Sequence, residues 1–341
     1  MFPNSAIFIR DTTYVSVFPI LDQRNRNIAR IVTRSMTNKA QFPDEQGEDG
    51  SFERQEDAFD NWIENKPDAE FPAVSGRYHL YVSLACPWAH RTIIMRERQG
   101  LAPHIGMTIV DPIRDDKGWR FVDDVSRCEP DPVNGFRFLS EAYHATDPKY
   151  KGRVTVPVLW DKETKRIVSN NDDAIMRMFN RAFQHLTGER HDHCPPHLLP
   201  QIDRLNEVVY QTVNNGVYRA GFASSQEAYE AAVYPLFDTL DMLESRLSRG
   251  PYLFGEHLTE TDWRLWVTLI RFDAVYHGHF KCNLRRLIEY PNLIAYTKRL
   301  FDIPGIAETV DLDHIKRHYY LTHDELNPSG ILPAGPQSIW F

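Results

Sequence analysis

The stretch Tyr78–Gly100, YHLYVSLACPWAHRTIIMRERQG, contains the signals that decide the fold of this part of the chain. Its first segment, Tyr78–Ala85, has the composition of a buried strand. A proline at the first helical position and a glycine beyond the last predict a helix over Pro87–Gln99. Cys86 therefore falls at a strand-to-helix junction, where free backbone N–H groups and the helix dipole favour an anion. The sequence predicts a thiol with a lowered pKa that acts as a nucleophile.

The nucleophile is predicted to work without a second cysteine beside it. A dithiol site would carry its partner three residues later, and that position is Ala89. Any mixed disulfide formed at Cys86 would then have to be resolved by an external thiol. The competing interpretation is an inert cysteine, buried for packing alone.

The elements that follow predict a small mixed α/β unit. Val156-Pro157 opens one of the later strands. Most X–Pro bonds are trans, but a valine and proline at this position, after a strand-CPxA-helix unit, resemble the cis peptide of thioredoxin-like folds, which would expose the backbone of Val156 to a peptide ligand. The order of strand, helix, strand, insertion, strand, strand and helix is typical of helices that cover one sheet. The predicted elements after the first helix are strands at 105–110, 155–160 and 166–169 and a helix at 172–183.

Beyond residue 195 the apolar spacing is helical, and it predicts an all-helical domain. The predicted helices span 198–212, 226–248, 260–276 and 293–301, and Thr259 with Asp262 forms a capping box in front of the third. The predicted organisation is an N-terminal extension over 1–44, an α/β domain over 45–190 with an insertion at 111–153, and a helical domain over 195–336. Residues 41–58 are acidic and polar, and we expect them to be a linker or surface loop.

Composition excludes several classes of protein. The 341 residues contain 39 Lys and Arg against 47 Asp and Glu, a formal net charge of -8, which argues against nucleic-acid binding. No apolar run reaches the roughly 18 residues of a membrane helix. The four cysteines are far apart, which fits a reducing compartment better than a disulfide framework or a zinc site. We expect a cytoplasmic protein, with mitochondrial import through the Arg-rich residues 1–40 as the alternative.

Several segments of the chain resemble one family. They are YHLYVSLACPWAHRTIIMR (78–96), GRVTVPVLWD (152–161), NNGVYRAGFA (214–223), LIRFDAVYHGHFKCN (269–283) and HIKRHYYLTHDELNPSGI (314–331). In this order they resemble the glutathionyl-hydroquinone reductases, also called the Xi class of glutathione transferases. The resemblance implies a thioredoxin-like N-terminal domain, a helical C-terminal domain and a homodimer. The implied reaction removes glutathione from glutathionylated hydroquinones through a mixed disulfide with Cys86.

The resemblance also implies a set of glutathione-binding residues. Trp119 would stack against the tripeptide, and the backbone around Val156 would pair with its cysteinyl unit. Most members have Glu-Ser after the IVSN stretch, where this chain has Asn171 and Asp172. Asn171 lacks the charge that would pair with the ammonium group of glutathione, and Asp172 could compensate. The complete implied set is Trp119, Arg153, Val154, Thr155, Val156, Pro157, Asn171 and Asp172.

Three tyrosines complete the implied site. Tyr218 matches the residue that protonates the departing hydroquinone carbon. Tyr276 and Tyr319 match tyrosines whose hydroxyls hydrogen-bond the thiolate. A phenol can donate to a thiolate at neutral pH because its own pKa is near 10.

Two other functions, and a metal site, are the alternatives to this reaction. A general glutathione thiol transferase or dehydroascorbate reductase would share the chemistry of Cys86. A non-catalytic protein could bind aromatic ligands between the domains. The two pairs of histidines at 191/193 and 277/279, each near a cysteine, lack a regular second half, so we expect no metal.

Overall fold

The N-terminal part of the chain forms a four-stranded mixed sheet in the computed structural model, which describes residues 45–115, 117–188 and 190–337. The strand order is β2-β1-β3-β4; β1 pairs parallel with β2 and antiparallel with β3, and β3 pairs antiparallel with β4. The predicted thioredoxin-like arrangement is confirmed. The elements are β1 Tyr78–Val82, α1 Pro87–Arg98, β2 Gly106–Ile109, α2 Ser140–Thr146, β3 Val158–Asp161, β4 Arg166–Ser169, α3 Asp172–Arg181 and α4 Gln184–Thr187.

Strand β3 begins later than the sequence predicts. The expected strand over 155–160 included Pro157, but β3 starts at Val158. Proline has no N–H to donate to the sheet, so it lies just outside the strand. The peptide bond between Val156 and Pro157 is cis, as predicted. Residues 155–157 are thereby left outside the ladder, beside Cys86.

The second part of the chain is all-helical, as predicted. Two of its helices are shorter than expected, because π-helical turns follow them at Tyr210–Asn214 and Phe272–Tyr276. Such turns shift the register of the side chains beyond them and often occur at functional sites. The helices are α5 Leu199–Val209, α6 Gly216–Gly221, α7 Gln226–Leu247, α8 Glu260–Arg271, α9 Pro291–Phe301 and α10 Leu312–Thr322.

Helix α8 begins with the predicted capping interaction. The carboxylate of Asp262 accepts hydrogen bonds from the backbone N–H of Thr259 at 2.7 Å and from its hydroxyl at 3.0 Å. This cap fixes a helix that packs against both α1 and α5. Helix α8 thus connects the helical domain to the element that carries Cys86.

Four of the helices named above were not predicted: α2 within the insertion, α4, α6 and α10. Helix α10 has clear signals in hindsight. Asp311 caps it by accepting a hydrogen bond from the backbone N–H of His314 at 2.9 Å, and Ile315 and Tyr319 bury one face. Within the part of the chain that the structure describes, no helix has both the length and the apolar character needed to cross a membrane.

Candidate functional site

Cys86 lies at the start of helix α1, where the sequence places it. It is the N-cap residue, with extended backbone, and Pro87 occupies the first helical position. Its side chain is half-buried, and Sγ lies 3.5 Å from the carbonyl oxygen of Val156. The thiol donates this hydrogen bond, so the cysteine directly faces the residue that precedes the cis proline.

The surroundings of Cys86 act on its pKa in opposite directions. Desolvation raises the pKa, whereas the backbone N–H groups of Ala89 and Trp88 and the guanidinium of Arg271 lower it. Desolvation outweighs the other effects, so the expected lowering of the pKa is not found in this conformation. The protein holds a neutral thiol at rest, with groups in place to stabilise the thiolate once the proton leaves.

Arg271 connects the helical domain to the backbone just before the nucleophile. It is completely buried, and it donates hydrogen bonds to the carbonyl oxygens of Leu84 at 2.9 Å and Ala85 at 3.0 Å. It also lies 3.0 Å from Nδ1 of His90, whose Nε2 lies 2.7 Å from the hydroxyl of Thr309. Since a guanidinium only donates, Nδ1 of His90 accepts and Nε2 carries the proton. The cation is therefore held rigidly near Cys86.

The thiol borders a small cavity, which we call the cysteine arm. Its volume is about 70 Å³, only a little more than the share of two water molecules in the liquid, so it must widen to admit an aromatic ring. Its walls come from both domains and from the residues after 44. They are Glu45, Phe52, Arg54, Cys86, Pro87, Trp88, Arg114, Trp119, Arg153, Thr155, Val156, Tyr218, Phe222, His318 and His323.

A second cavity of about 430 Å³, which we call the acidic arm, adjoins the first. The two cavities share five wall residues, so a ligand can extend from one into the other. The acidic arm is lined by Arg54, Gln55, Glu56, Asp57, Asp60, Trp88, Arg153, Thr155, Val156, Pro157, Asn170, Asn171, Asp172, Asp173 and Tyr210.

Asn171 and Asp172, which depart from the family pattern, lie at the N-terminus of α3 in the acidic arm. The Asn171 side chain caps the helix by accepting a hydrogen bond from the backbone N–H of Ala174 at 3.0 Å. Asp172 lies 2.7 Å from Arg91, and this buried cation already balances its charge. An ammonium group of glutathione would therefore have to compete with Arg91 for Asp172. The pairing of Asp172 with this ammonium group stays a prediction.

A carboxylate that the sequence analysis did not select lies in the same arm. Asp57 reaches solvent through the cavity, yet desolvation and the negative charge of Asp172 raise its pKa to about 7. The acidic arm thus brings several carboxyl groups together where the family resemblance implies the ammonium group of glutathione.

The three tyrosines form one hydrogen-bonded group. The hydroxyl of Tyr319 lies 2.5 Å from that of Tyr218 and 2.9 Å from that of Tyr276. Only Tyr218 lines the cysteine arm; the other two lie behind it, fully buried. Burial raises the pKa of all three, so each keeps its proton at neutral pH. Direct bonds from Tyr276 and Tyr319 to the thiolate stay predictions. In the structure, both belong to a hydrogen-bonded group of which only Tyr218 lines the same cavity as Cys86.

The remaining predicted residues surround these cavities. Trp119 reaches the cysteine arm from the insertion, and its ring stacks on that of His318 at 5.2 Å between centroids. Arg153 pairs with Glu45 at 2.6 Å. Thr155 lines both arms and Pro157 only the acidic arm, whereas Val154 packs against the core and lines neither.

Sequence reasoning missed two groups of wall residues. Residues 45–58, expected to be a linker or surface loop, instead cover the cysteine arm, with Phe52 buried and Arg54 4.9 Å from the ring centres of both Trp88 and Tyr218. An aromatic and an arginine within an otherwise acidic stretch were the available signal. His318 and His323 were missed because helix α10 was not predicted.

Two negative observations narrow the choice of site. A larger cavity, of about 730 Å³, lies between α8 and α10, and its walls include neither Cys86 nor any predicted site residue. In the residues that the structure describes, no group of three or more His, Cys, Asp or Glu side chains is arranged to hold a metal ion.

Comparison with known proteins agrees with this geometry. Residues 85–182 match the family model of the glutathione S-transferase N-terminal domain, and residues 226–299 match that of the C-terminal domain. The chain is 50% identical to glutathionyl-hydroquinone reductase PcpF of Sphingobium chlorophenolicum over 289 residues, covering 84% of this chain and 90% of that protein.

Two solved structures are similar along most of their length. One is the glutathione-bound structure of YqjG, a glutathione transferase homolog from Escherichia coli K-12, with a TM-score of 0.81 and 49% identity over 83% of this chain and 94% of that one. The other is the glutathione S-transferase Xi from Phanerochaete chrysosporium, with a TM-score of 0.83 and 49% identity over 86% of this chain and 95% of that one.

Proposed function

The chain belongs to the Xi class of glutathione transferases, the glutathionyl-hydroquinone reductases, and on that premise we propose that it removes glutathione from glutathionyl-hydroquinones through a mixed disulfide at Cys86. One observation carries the assignment of the nucleophile. Cys86 is the N-cap residue of helix α1, faces the carbonyl oxygen of Val156 and shares a cavity with Tyr218. Glutathione is the thiol substrate.

The first half of the reaction transfers the glutathionyl group to the enzyme. Cys86 first loses its proton to solvent, and the amides of Trp88 and Ala89 together with Arg271 stabilise the thiolate. The thiolate attacks the glutathione sulfur; an S–S bond forms as the bond between sulfur and the ring carbon breaks. The electron pair of the broken bond takes the proton of Tyr218, which gives the free hydroquinone.

The second half of the reaction restores the enzyme. Another glutathione attacks the mixed disulfide, releasing oxidised glutathione and the thiolate of Cys86. The thiol proton of this glutathione passes to the phenolate of Tyr218, which lines the cavity, and returns it to its neutral form. The two electrons that reduce the carbon–sulfur bond thus come from the two sulfurs that end in oxidised glutathione.

We also propose that the protein is a homodimer and that it works in a reducing compartment. The family resemblance implies a homodimer, and light scattering that shows a monomer would contradict this. The four cysteines are all free in the structure, which supports a reducing compartment such as the cytoplasm. Glutathionylated hydroquinones are the proposed partners, and the acidic charge of the chain argues against nucleic acid.

A coupled assay of oxidised glutathione tests the proposal. Purified protein is given a glutathionyl-hydroquinone with glutathione, and in parallel a small glutathione mixed disulfide. Turnover of the hydroquinone conjugate supports the reductase. Turnover of only the mixed disulfide would instead indicate a thiol transferase, and binding without any turnover would indicate an aromatic-ligand binder.

A further inference from the structure

His318 lies on the wall of the cysteine arm, and the proposed reaction gives it no part. It belongs to α10, next to Tyr319 in sequence, and its side chain is 8% exposed. Its ring stacks on Trp119 with an interplanar angle of 21°, and the guanidinium of Arg114 lies 5.4 Å from the centre of the Trp119 ring. The imidazole is thus held in one plane at the cavity surface.

The hydrogen bonds of His318 define which nitrogen carries the proton. Nδ1 lies 2.7 Å from the carbonyl oxygen of Pro112, with the hydroxyl of Thr322 at 3.4 Å. A carbonyl oxygen only accepts, so Nδ1 is the protonated nitrogen and Nε2 of the neutral ring is an acceptor. Desolvation and the positive charge of Arg114 lower the pKa of His318 to about 3, which keeps the ring neutral at physiological pH.

Nε2 of His318 has no hydrogen-bonding partner among the described residues. The other histidine of this wall, His323, has its Nδ1 3.3 Å from Nε2 of His279. The side chains of Arg54, Arg114 and Trp119 can only donate hydrogen bonds. The carboxylate of Glu45 is paired with Arg153. A phenolic hydroxyl that enters the cavity needs an acceptor for its proton, and His318 supplies one.

We propose that Nε2 of His318 accepts a hydrogen bond from a phenolic hydroxyl of the bound hydroquinone, so that the cysteine arm selects aromatic compounds with a free hydroxyl group. This inference rests on the proposed function, since it specifies the ring that the reductase accepts. A quinone carbonyl or a methyl ether offers no proton to Nε2. The same hydrogen bond increases the electron density of the ring, which favours proton transfer from Tyr218 to the ring carbon.

Two variants separate the acceptor from the rest of the side chain. His318→Asn places an amide near the position of Nδ1, so it can keep the bond to Pro112 while removing the acceptor. His318→Gln extends an amide to about the position of Nε2, so it can supply an acceptor again. His314→Asn is the matched control, because this buried histidine of the same helix bonds the carbonyl oxygen of Ser126 and does not line the arm.

The experiment measures binding of hydroquinone and of 1,4-dimethoxybenzene by quenching of tryptophan fluorescence, since Trp88 and Trp119 both line the arm. We expect the wild-type protein and H314N to prefer hydroquinone by about 10- to 100-fold, the effect of leaving one buried hydrogen-bonding group unpaired. H318N should reduce the preference to within about threefold, and H318Q should restore part of it.

Three results would overturn the inference: no preference in the wild type, an undiminished preference in H318N, or an equal loss in H318N and H318Q, which would show a purely structural role. Because binding is measured without turnover, a failure of the proposed reaction can be distinguished from a failure of the role proposed for His318. A wild-type protein that prefers hydroquinone but does not cleave its glutathionyl conjugate would contradict the reaction and leave the role of His318 intact.

Discussion

The cysteine arm and the acidic arm share wall residues but treat charge differently. In the cysteine arm, burial keeps the tyrosines and His318 neutral. The hydroxyls of Tyr218 and Tyr276 are each hydrogen-bonded to that of Tyr319, and the bond of His318 to the carbonyl oxygen of Pro112 leaves its Nε2 as an acceptor. In the acidic arm, Asp172 pairs with Arg91 and Asp173 with Arg264, and both arginines are buried. The cysteine arm also contains an ion pair, between Glu45 and Arg153, but its distinctive feature is this group of neutral hydrogen-bonding side chains. The cysteine arm is suited to proton transfer, and the acidic arm to binding a charged end of a ligand.

The largest expected effect is at the reacting atom of the cysteine arm. Cys86→Ala should lower the turnover of a glutathionyl-hydroquinone by about 1000-fold or more, because no other group can form the mixed disulfide. The rate of oxidised glutathione formation measures it. Cys128→Ala is the control, since that half-buried thiol bonds the carbonyl oxygen of Val110 and lines neither arm. Similar loss in both variants would contradict the assignment.

The next largest effect is expected on protein stability, at the ion pair that Asp172 of the acidic arm makes with Arg91. Arg91→Met leaves Asp172 buried without its cation and also removes the 2.7 Å bond to the side chain of Asn214. Breaking one partner of a buried pair should reduce the free energy of unfolding by about 3–5 kcal/mol. Urea denaturation measures the change.

An exposed ion pair provides the control for Arg91. Arg285 pairs with Asp241 at the surface, and Arg285→Gln should change the free energy of unfolding by less than about 1 kcal/mol. Equal changes in the free energy of unfolding for R91M and R285Q would contradict a special contribution of the buried ion pair between Arg91 and Asp172.

The proton donor should matter for one substrate and not for another. Tyr218→Phe should reduce turnover of a glutathionyl-hydroquinone by about 100-fold, as expected for loss of a general acid. A small glutathione mixed disulfide has no carbon to protonate, so its turnover should change by less than about threefold. Tyr229→Phe is the control, because its hydroxyl bonds the carbonyl oxygen of Lys281 outside both arms. An equal loss of turnover on the two substrates in Y218F would contradict the role of Tyr218 as proton donor.

The smallest expected effect is a pH-dependent gain in stability at Asp57. Its pKa in the folded protein, about 7, lies above the ordinary value of 3.8. The folded state therefore keeps a proton that the unfolded state loses first, and ionisation of Asp57 destabilises the fold as the pH rises through this range. Asp57→Asn should raise the free energy of unfolding above pH 7, by less than about 1 kcal/mol because solvent reaches the side chain.

The measurement for Asp57 is urea denaturation at several pH values. The gain in D57N should disappear toward about pH 4, where both states of the wild-type protein hold the proton. Asp68→Asn, an exposed carboxylate elsewhere, is the control. A gain that does not depend on pH would contradict the raised pKa.

The parts of the site that are local in sequence could be predicted. Cys86 at the start of a helix and the cis peptide before Pro157 follow from a few adjacent residues, and the structure has both. The hydrogen bonds among Tyr218, Tyr276 and Tyr319 could not be derived, because they depend on two π-helical turns and on two unpredicted helices, α6 and α10.

The state of Cys86 shows the limit of local reasoning most clearly. The helix N-terminus predicts a lowered pKa, and the amides of Trp88 and Ala89 do act in that direction. The walls that desolvate the thiol come from distant segments, such as Phe52 and Phe222. Burial by these residues is a tertiary effect, and it reverses the sign of the shift.

Capture of the enzyme intermediate tests the central claim most directly. The protein is mixed with a glutathionyl-hydroquinone in the absence of free glutathione, quenched with acid, digested and examined by mass spectrometry. The account predicts one glutathionyl group on the peptide that contains Cys86, in amounts matching the hydroquinone released, and its removal when glutathione is added. Release of hydroquinone without this adduct, or with the adduct on Cys128, Cys194 or Cys282, would contradict it.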